Sequence, residues 1–358
     1  MLRKGAPLLK WLRSLLGRQP RPEGGAGRKR GAATHVVILD GTMSTLAAGC
    51  ETHAGQLYKL LLEAGRRENL TIYYEPGIQW HTWGATLDVM QGRGINRQIK
   101  RAYGALASRY RPGDEIVLAG YSRGAYAVRS LAGVIDQVGL VHPDYATERN
   151  VQLAYRHYRR GGRGPAAAAF RRKFCHPSVE IEAVAVWDTV KALGLRLPVI
   201  WRWSQVEHAF HNHALGASVR NGFHALALDE MRDAYAPVLW SCPPGWAGHM
   251  EQVWFAGTHG DVGGQLNGFE PARPLANLSM VWMLERLTAC GLPLPEGCMS
   301  RFDTDPTAPS TGKWRGWSKL FLTRSPRRVG RDPSERVHDS VEVRRRAGQH
   351  HAPGVKQT

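Results

Sequence analysis

The chain has 358 residues, 43% of them hydrophobic, which is enough for one large or two ordinary domains with a real core. Its five cysteines are scattered and form no Cys-x-x-Cys pair, so the sequence indicates neither a disulfide framework nor a zinc ribbon and fits folding in a reducing compartment. The net charge of +18 is concentrated at the ends, since residues 1–34 carry +8 and residues 299–358 carry +7. Such basic ends favour binding to phospholipid headgroups, nucleic acid or acidic proteins, and composition alone does not choose among these partners.

The first 16 residues predict an amphipathic helix, with leucines on one face and basic residues on the other. Such a helix lies on an anionic membrane surface or docks on its own protein or a partner. Basic residues interrupt the apolar stretch and no clean cleavage site follows, so we expect a cytoplasmic chain without a cleaved signal peptide. No run of about 18 apolar residues predicts a transmembrane span. A flexible basic linker follows over 18–34, then a domain over 35–350 and a tail over 351–358.

Five apolar runs, each ending in polar or glycine-rich residues, predict the strands of a sheet. They lie at 36–39, 70–74, 116–119, 181–187 and 252–256. Helical patterns lie between most of them or follow the last, at about 53–66, 95–109, 124–138, 148–160 and 275–290. This alternation predicts an α/β fold, with a mostly parallel central sheet and helices on both faces.

Two segments do not fit the alternation and are predicted as insertions that cover the sheet edge. Residues 139–179 are polar and rich in arginine, and residues 195–250 are rich in aromatic residues and histidine. The second segment also contains a helical pattern around His224–Tyr235. An aromatic insertion of this kind shapes a substrate pocket or acts as a lid, or it simply packs against the core.

The third predicted strand ends in Gly120-Tyr121-Ser122-Arg123-Gly124 and passes directly into a helical pattern. This order of strand, Gly-x-Ser-x-Gly and helix is the form of a nucleophile elbow, in which a sharp turn exposes the serine hydroxyl. A glycine-rich turn with a solvated serine is the alternative. The context favours Ser122 as a nucleophile beside a helix N-terminus, where amide groups can hold an oxyanion.

A serine hydroxyl needs a base to take its proton and an acid to orient that base. Asp188 follows the fourth predicted strand and His259 follows the fifth, so the order is Ser, Asp, His and all three lie at strand ends. Asp261 competes with Asp188 as the orienting acid, although it more readily braces the 262–264 turn through local amides. His224 is the second candidate for the base, within a predicted helix.

The first predicted strand ends at Asp40-Gly41-Thr42, close to where a second oxyanion-hole amide is expected. The amides of Gly41 or Thr42 could act with that of Arg123. Asp40 either orders this loop or holds a cation. The Arg123 side chain suits an anionic group such as a phosphate, or forms a salt bridge to a neighbouring loop.

A metal site or a bound cofactor is not predicted. The histidine-rich stretch over 207–213 matches no closed zinc pattern, and no His-Glu-x-x-His occurs. The fragment Gly92-x-Gly94 has no dinucleotide-binding fingerprint around it.

Five segments together form a specific combination of motifs. They are Asp40-Gly41-Thr42, Gly120–Arg129, Val186–Val190, His224–Glu230 and Trp254–Gly264. On these motifs the chain resembles the α/β-hydrolase domain family that includes the catalytic domain of type VI secretion phospholipase effectors. The resemblance covers about residues 35–350, with 337–345 similar to the closing segment of the family. The chain departs from the family at Met43-Ser44-Thr45, where an aromatic residue and Asn are usual, and at Met231, where Arg is frequent.

The resemblance implies an α/β-hydrolase-like catalytic domain over 35–350, with Ser122 as nucleophile and Asp188 and His259 as its partners. It also implies lipid ester substrates, a secretion-machinery partner and export without a signal peptide. We therefore expect a cofactor-free serine esterase that acts on glycerophospholipids. The alternative is a catalytically silent module of the same fold that binds membranes or acidic partners. Nucleic-acid binding through the tails has no supporting fold in the sequence.

Overall fold

The computed structural model describes residues 31–65, 69–77, 93–190, 214–242, 245–312 and 323–348. The predicted N-terminal helix, most of the linker, the histidine-rich stretch over 207–213, Gly92 and the C-terminal tail lie outside these residues. The predicted domain limits therefore remain predictions.

Seven parallel strands form one sheet within the described part of the chain. They are β1 (Thr34–Leu39), β2 (Leu70–Glu75), β3 (Glu115–Tyr121), β4 (Ile181–Trp187), β5 (Val219–Ala227), β6 (His249–Phe255) and β7 (Glu335–Val337). Their spatial order is β2-β1-β3-β4-β5-β6-β7. The predicted α/β-hydrolase-like fold, with a parallel central sheet, is confirmed.

Helices connect the strands and cover both faces of the sheet. They are α1 (His53–Ala64), α2 (Arg93–Ala107), α3 (Arg123–Val138), α4 (Glu148–Arg159), α5 (Pro165–Phe174), α6 (His259–Gly263), α7 (Arg273–Ala289) and α8 (Asp339–Arg346). Short 3-10 turns occur at Pro143–Tyr145, Asp233–Tyr235, Glu270–Ala272 and Cys298–Arg301. Among the described helices, none is long and apolar enough to cross a membrane.

The alternation of side chains along the central strands builds a separate core on each face of the sheet. On β1, Val37 and Leu39 pack with α2 and α3, whereas Val36 and Ile38 pack with α1 and α7. Successive residues of a strand point to opposite faces, so a strand buried on both sides is a continuous apolar run. The sheet is thereby held rigidly between two helical layers, with its carboxyl edge left to carry loops.

The predicted helix around His224–Tyr235 is wrong, since residues 219–227 form the interior strand β5 between β4 and β6. Both faces of this strand are buried, from Phe223 to Leu228. Full burial removes the two-residue alternation by which a strand is recognised, and an apolar run of this length also fits a helix. The described part of the segment 195–250, from residue 214 onwards, therefore contributes β5 and the start of β6 to the sheet itself; residues 195–213 lie outside the described part of the chain.

The arginine-rich segment 139–179 lies on the helical layer and does not cover a sheet edge. It connects β3 to β4 and contains α4 and α5, which pack on α3. Tyr155 and Tyr158 of α4 are buried there, and the Tyr155 hydroxyl donates to Asn96 Oδ1 of α2 at 2.7 Å. Because β3 and β4 are adjacent interior strands, a connection between them crosses a face of the sheet.

Candidate active site

Ser122 occupies a sharp turn between β3 and α3. Its backbone has φ 57° and ψ −120°, a left-handed conformation that is costly for a residue with a side chain. The flanking glycines permit the turn. A Cβ at Gly124 would lie 2.0 Å from the carbonyl oxygen of Leu39, and one at Gly120 would lie 2.9 Å from the amide nitrogen of Ala125. The backbone thus has the geometry of the predicted elbow.

The three side chains predicted at strand ends meet in the structure. The Ser122 hydroxyl lies 2.8 Å from His259 Nε2, and His259 Nδ1 lies 2.6 Å from Asp188 Oδ2. All three residues are buried. With its proton on Nδ1, the imidazole donates to the carboxylate and its Nε2 is free to accept the serine proton. The arrangement can therefore activate a hydroxyl.

The Asp188 carboxylate has a second partner, which is a buried arginine. Arg327 donates from Nη1 to Oδ1 at 2.5 Å and from Nη2 to Oδ2 at 2.9 Å. The same guanidinium also donates to the carbonyls of Ala227 and Tyr235 at 2.8 and 2.6 Å. Burial opposes ionisation of Asp188, but the charge of Arg327 and the His259 hydrogen bond outweigh it and hold the pKa of Asp188 well below its usual range.

His259 is the first residue of α6, and its surroundings keep the imidazole neutral. Burial lowers the pKa of His259, and the nearby Asp188 carboxylate offsets only part of this effect. The ring stacks on Tyr121, with centroids 4.9 Å apart, and Tyr235 lies on it at 4.7 Å. The Glu230 carboxylate accepts a hydrogen bond from the His259 amide at 3.2 Å. These contacts position both the ring and the backbone of the base.

Asp261 does not orient the imidazole. Its Oδ2 accepts from the amide and hydroxyl of Thr258 at 2.7 and 2.9 Å, which caps α6. It also accepts from the Ser310 hydroxyl and the Thr311 amide. The predicted bracing role through local amides agrees with these contacts, although the amides belong to 258 and 311 and not to 262–264.

His224 lies within β5, away from the serine. Its Nε2 accepts a hydrogen bond from the Thr189 amide at 3.1 Å, and the ring packs edge-on against Trp240. Burial lowers the pKa of His224 to about 3. The imidazole thus supports the backbone immediately after Asp188, and no contact joins it to Ser122.

The loop after β1 lies against the elbow, as expected for a contributor of oxyanion-hole amides. A Cβ at Gly41 would lie 2.6 Å from the Tyr121 ring and 3.4 Å from Ser122 Cβ. The Gly41 amide already donates to Asp40 Oδ1 at 2.6 Å. Among the described residues, the amides of Thr42 and Arg123 have no hydrogen-bond partner. Of the three predicted donors, these two are therefore available to an oxyanion.

Asp40 orders the loop through a buried hydrogen-bond network. Its carboxylate accepts from the Thr52 hydroxyl and from the Tyr74 hydroxyl, each at 2.8 Å, as well as from Gly41. Burial raises the pKa of Asp40 in spite of these bonds. Of the two predicted roles, loop ordering accounts for the contacts; in the described part of the chain no cluster of His, Cys, Asp and Glu is arranged to hold a metal ion.

The Arg123 guanidinium has no carboxylate partner within the described residues, so the predicted salt bridge to a neighbouring loop is not found there. Burial lowers the pKa of Arg123, and among the described residues Tyr235 contributes in the opposite direction. An arginine that has no counterion among the described residues and directly follows a nucleophile can bind an anionic group of a ligand.

Three charged residues of the site were missed by the sequence analysis. Arg327 pairs with Asp188, Glu230 holds the His259 amide, and Arg232 pairs with Glu230 at 2.5 Å. Glu230 belongs to one of the five motifs, which is a usable signal, and it lies three residues after the end of β5. Arg327 lies in Ser325-Pro326-Arg327-Arg328, where no pattern distinguishes it from its neighbour.

Comparison with known proteins places most of the chain in one family. The family model described as "T6SS, Phospholipase effector Tle1-like, catalytic domain" matches residues 34–286. An uncharacterized protein of Saccharomyces cerevisiae is 29% identical over 237 residues, which cover 58% of this chain and 34% of that protein. The chain thus spans about a third of the length of this curated relative.

Three solved structures show distant similarity. An uncharacterized protein from Pseudomonas aeruginosa is 13% identical with a TM-score of 0.43, over 82% of this chain and 51% of that one. The Tle1 effector bound to the VgrG spike of the type 6 secretion system is 16% identical with a TM-score of 0.33, over 66% and 51%. An esterase from Thermogutta terrifontis is 13% identical with a TM-score of 0.38, over 76% and 89%.

Proposed function

The chain belongs to the family of Tle1-like catalytic domains of type VI secretion phospholipase effectors, and from this we propose that it is a serine hydrolase that cleaves carboxylic esters, with glycerophospholipids as substrates. The observation that carries the proposal is the continuous chain of hydrogen bonds from Ser122 through His259 to Asp188. The left-handed backbone at Ser122 adds to it, since strain of this kind is typical of functional residues.

In the acylation step, Ser122 Oγ attacks the ester carbonyl while its proton passes to His259 Nε2. The Asp188 carboxylate keeps the proton on Nδ1 and stabilises the imidazolium that forms. The amides of Arg123 and Thr42 donate to the oxyanion of the tetrahedral intermediate. Collapse of this intermediate breaks the ester bond, and His259 returns the proton to the departing alkoxide, which leaves as an alcohol.

In the deacylation step, water takes the place of the alcohol. His259 removes one proton from the water as the oxygen attacks the acyl carbonyl, and then donates that proton to Ser122 Oγ. The carboxylic acid leaves and the free serine is restored. Every proton is moved by the same imidazole, so this route needs no metal ion and no organic cofactor.

Phospholipids are proposed as substrates because a cationic side chain lies next to the nucleophile. The Arg123 guanidinium would bind the phosphate of the headgroup while the ester carbonyl enters the oxyanion hole. The predicted N-terminal amphipathic helix would hold the domain on an anionic membrane. The Tle1 effector was solved on a VgrG spike, and by analogy we propose a secretion-machinery partner and signal-independent export for this chain.

A fluorophosphonate probe and a lipid panel test the proposal. The full chain should be labelled at Ser122 and should release fatty acid from phosphatidylglycerol vesicles and from a short-chain aryl ester. Ser122→Ala, which keeps the turn but lacks the hydroxyl, should lose both signals by at least about 10³-fold. Vesicle binding without labelling or release would support the catalytically silent module instead. Unchanged release by Ser122→Ala would refute the serine mechanism.

A further inference from the structure

The residue that distinguishes this site from a bare serine, histidine and aspartate is Arg327. Its side chain is 4% exposed and that of Asp188 is 0% exposed, so the ion pair between them is sealed from solvent. The guanidinium contacts both carboxylate oxygens. One of these oxygens, Oδ2, is the atom that also accepts the hydrogen bond from His259 Nδ1. The arginine and the imidazole therefore act on the same buried charge.

Arg327 reaches this position on a segment that is tied to the loop beside the base. The Ser325 amide donates to the Met231 carbonyl at 2.8 Å, and Arg324 forms an antiparallel bridge with Arg232. The matched family region ends at residue 286. A part of the chain beyond that region thus contributes a charged group to the proposed catalytic centre.

The Asp188 carboxylate and the Arg327 guanidinium bound to it have opposite effects on the protonation of His259. Asp188 alone would stabilise the imidazolium of His259 strongly, because both groups are buried and in contact. A fixed guanidinium on the same carboxylate offsets much of that stabilisation, since two cations near one anion repel each other. The imidazole then binds a proton less readily, while its orientation is still set by Asp188.

We propose that Arg327 is a positioning residue of the catalytic centre, which locks the Asp188 carboxylate in place and offsets its charge so that His259 stays an unprotonated base in mildly acidic medium. This inference rests on the proposed function for its kinetic readout. The bidentate geometry supports it, because a planar guanidinium fixes a carboxylate in orientation as well as in charge.

The other groups that face His259 would remain in every variant of Arg327. The Ser122 hydroxyl and the Tyr121 and Tyr235 rings contact the imidazole. The Glu230 carboxylate favours the imidazolium and the Arg232 guanidinium disfavours it. Because Glu230 and Arg232 are paired with each other, a change at Arg327 alters one charge around the base and leaves this second pair in place.

The experiment measures kcat/KM for a short-chain aryl ester from pH 4.5 to pH 8.5, with the full chain. Arg327→Met and Arg327→Gln remove the charge, and Arg327→Lys keeps it without the planar fork. We expect the acidic limb of the profile to move up by about 1 pH unit in the two neutral variants. It should stay near its wild-type position in Arg327→Lys, with kcat lowered about tenfold.

Arg344→Met is the matched control. Arg344 is as buried as Arg327, but its guanidinium donates to the carbonyls of Pro306 and Ala308 and not to Asp188. Its loss should leave the acidic limb in place. If the neutral variants at 327 lose activity equally at every pH, or if Arg344→Met moves the limb as far as they do, the arginine is a packing residue and the inference is wrong.

A second readout separates this inference from the proposed function. In protein labelled with ¹³C at histidine Cε1, the His259 resonance is identified by its absence in His259→Gln and is titrated without substrate. Its midpoint should rise by about 1 unit in Arg327→Gln. If no ester is cleaved but the midpoint rises, the proposed function fails and the charge relation stands. If esters are cleaved and the midpoint does not move, the role of Arg327 is refuted.

Discussion

The carboxylate of Asp188 is bonded to the neighbouring strand, since its Oδ1 accepts a hydrogen bond from the Ala227 amide at 3.0 Å. Asp188 has a φ of 39°, so its own backbone is as unusual as that of Ser122. The contact ties the end of β4 to the end of β5. It fixes the carboxylate before any substrate binds, and every hydrogen-bond partner of the carboxylate within the described residues is a donor.

Replacing Asp188 by Asn should lower kcat by about 10⁴-fold, as expected when the imidazole loses its orienting acid. In either orientation, the NH₂ group of the introduced side chain would face another hydrogen-bond donor. Ala227 and Arg327 donate to the position of Oδ1, and His259 and Arg327 donate to that of Oδ2. Steady-state ester hydrolysis measures the loss. Asp261→Asn is the control, with a loss of about 1 kcal/mol of stability from a weaker helix cap and a change in kcat below tenfold. Equal losses in kcat would contradict the assignment of Asp188.

Replacing His259 by Gln should abolish fluorophosphonate labelling and lower kcat by at least about 10³-fold, because Ser122 loses its base. His224→Gln should instead act on stability, since the His224 ring accepts the Thr189 amide inside β5. Chemical denaturation should show that the free energy of unfolding falls by about 1–3 kcal/mol, because the buried Thr189 amide loses its acceptor. Labelling of His224→Gln at a rate within tenfold of the wild type is expected. A His224 variant as inert as the His259 variant would reverse the two assignments.

The free energy of unfolding should fall as the pH drops below about 6.5. Burial lowers the pKa of His53 and that of His224 to about 3. Both imidazoles stay neutral in the folded chain below pH 6.5, whereas the unfolded chain binds protons there, so acid favours unfolding until the folded groups titrate near pH 3. Below pH 6.5, each imidazole lowers the free energy of unfolding by about 1.4 kcal/mol per pH unit. Together the two imidazoles lower it by about 4 kcal/mol at pH 5.

Urea denaturation at pH 7 and pH 5 measures this loss. His53→Gln should reduce the difference between the two pH values by about 2 kcal/mol, because one neutral imidazole is gone. Stability that is independent of pH over this range would show that the buried imidazoles are charged in the folded state.

Two glycines in helices should respond in opposite directions to alanine. A Cβ at Gly124 would lie 2.0 Å from the Leu39 carbonyl oxygen and 2.5 Å from that of Asp40, so Gly124→Ala should cost more than about 3 kcal/mol and disorder the elbow. A Cβ at Gly104 would meet only the Val151 methyl group at 3.4 Å. Gly104→Ala should therefore stabilise α2 by about 0.5–1 kcal/mol. Thermal unfolding of both variants checks the pair; tolerance of alanine at Gly124 would contradict the close approach of β1 to α3.

The positions of Ser122, Asp188 and His259 could be predicted because a parallel sheet gathers the carboxyl ends of its strands at one edge. Short apolar runs located those ends to within a few residues. β5 was not recognised, because burial on both faces removes the alternation of a strand and its run of apolar residues also fits a helical pattern. Arg327 could not be predicted either. It lies 139 positions beyond Asp188, and a long-range ion pair leaves no periodic trace in the chain.

The oxyanion loop shows the same limit on a smaller scale. Asp40-Gly41-Thr42 was located correctly next to the elbow, but the sequence does not reveal which amide is already occupied. The Asp40 carboxylate accepts a hydrogen bond from the Gly41 amide, with 2.6 Å between the oxygen and the nitrogen, and accepts none from the Thr42 amide. Such a choice depends on the path of the backbone over two residues, and residue types alone do not encode it.

The backbone of Ser122 at φ 57° favours glycine over every residue with a side chain. The fold would therefore be more stable with glycine at this position than with serine. In a related protein that is no longer selected for catalysis, loss of this side chain would raise the stability of the fold. Glycine is therefore the replacement that we expect at this position. Among related chains, glycine at this turn would identify proteins that have lost catalytic activity. Serine should be retained only where its hydroxyl acts in catalysis.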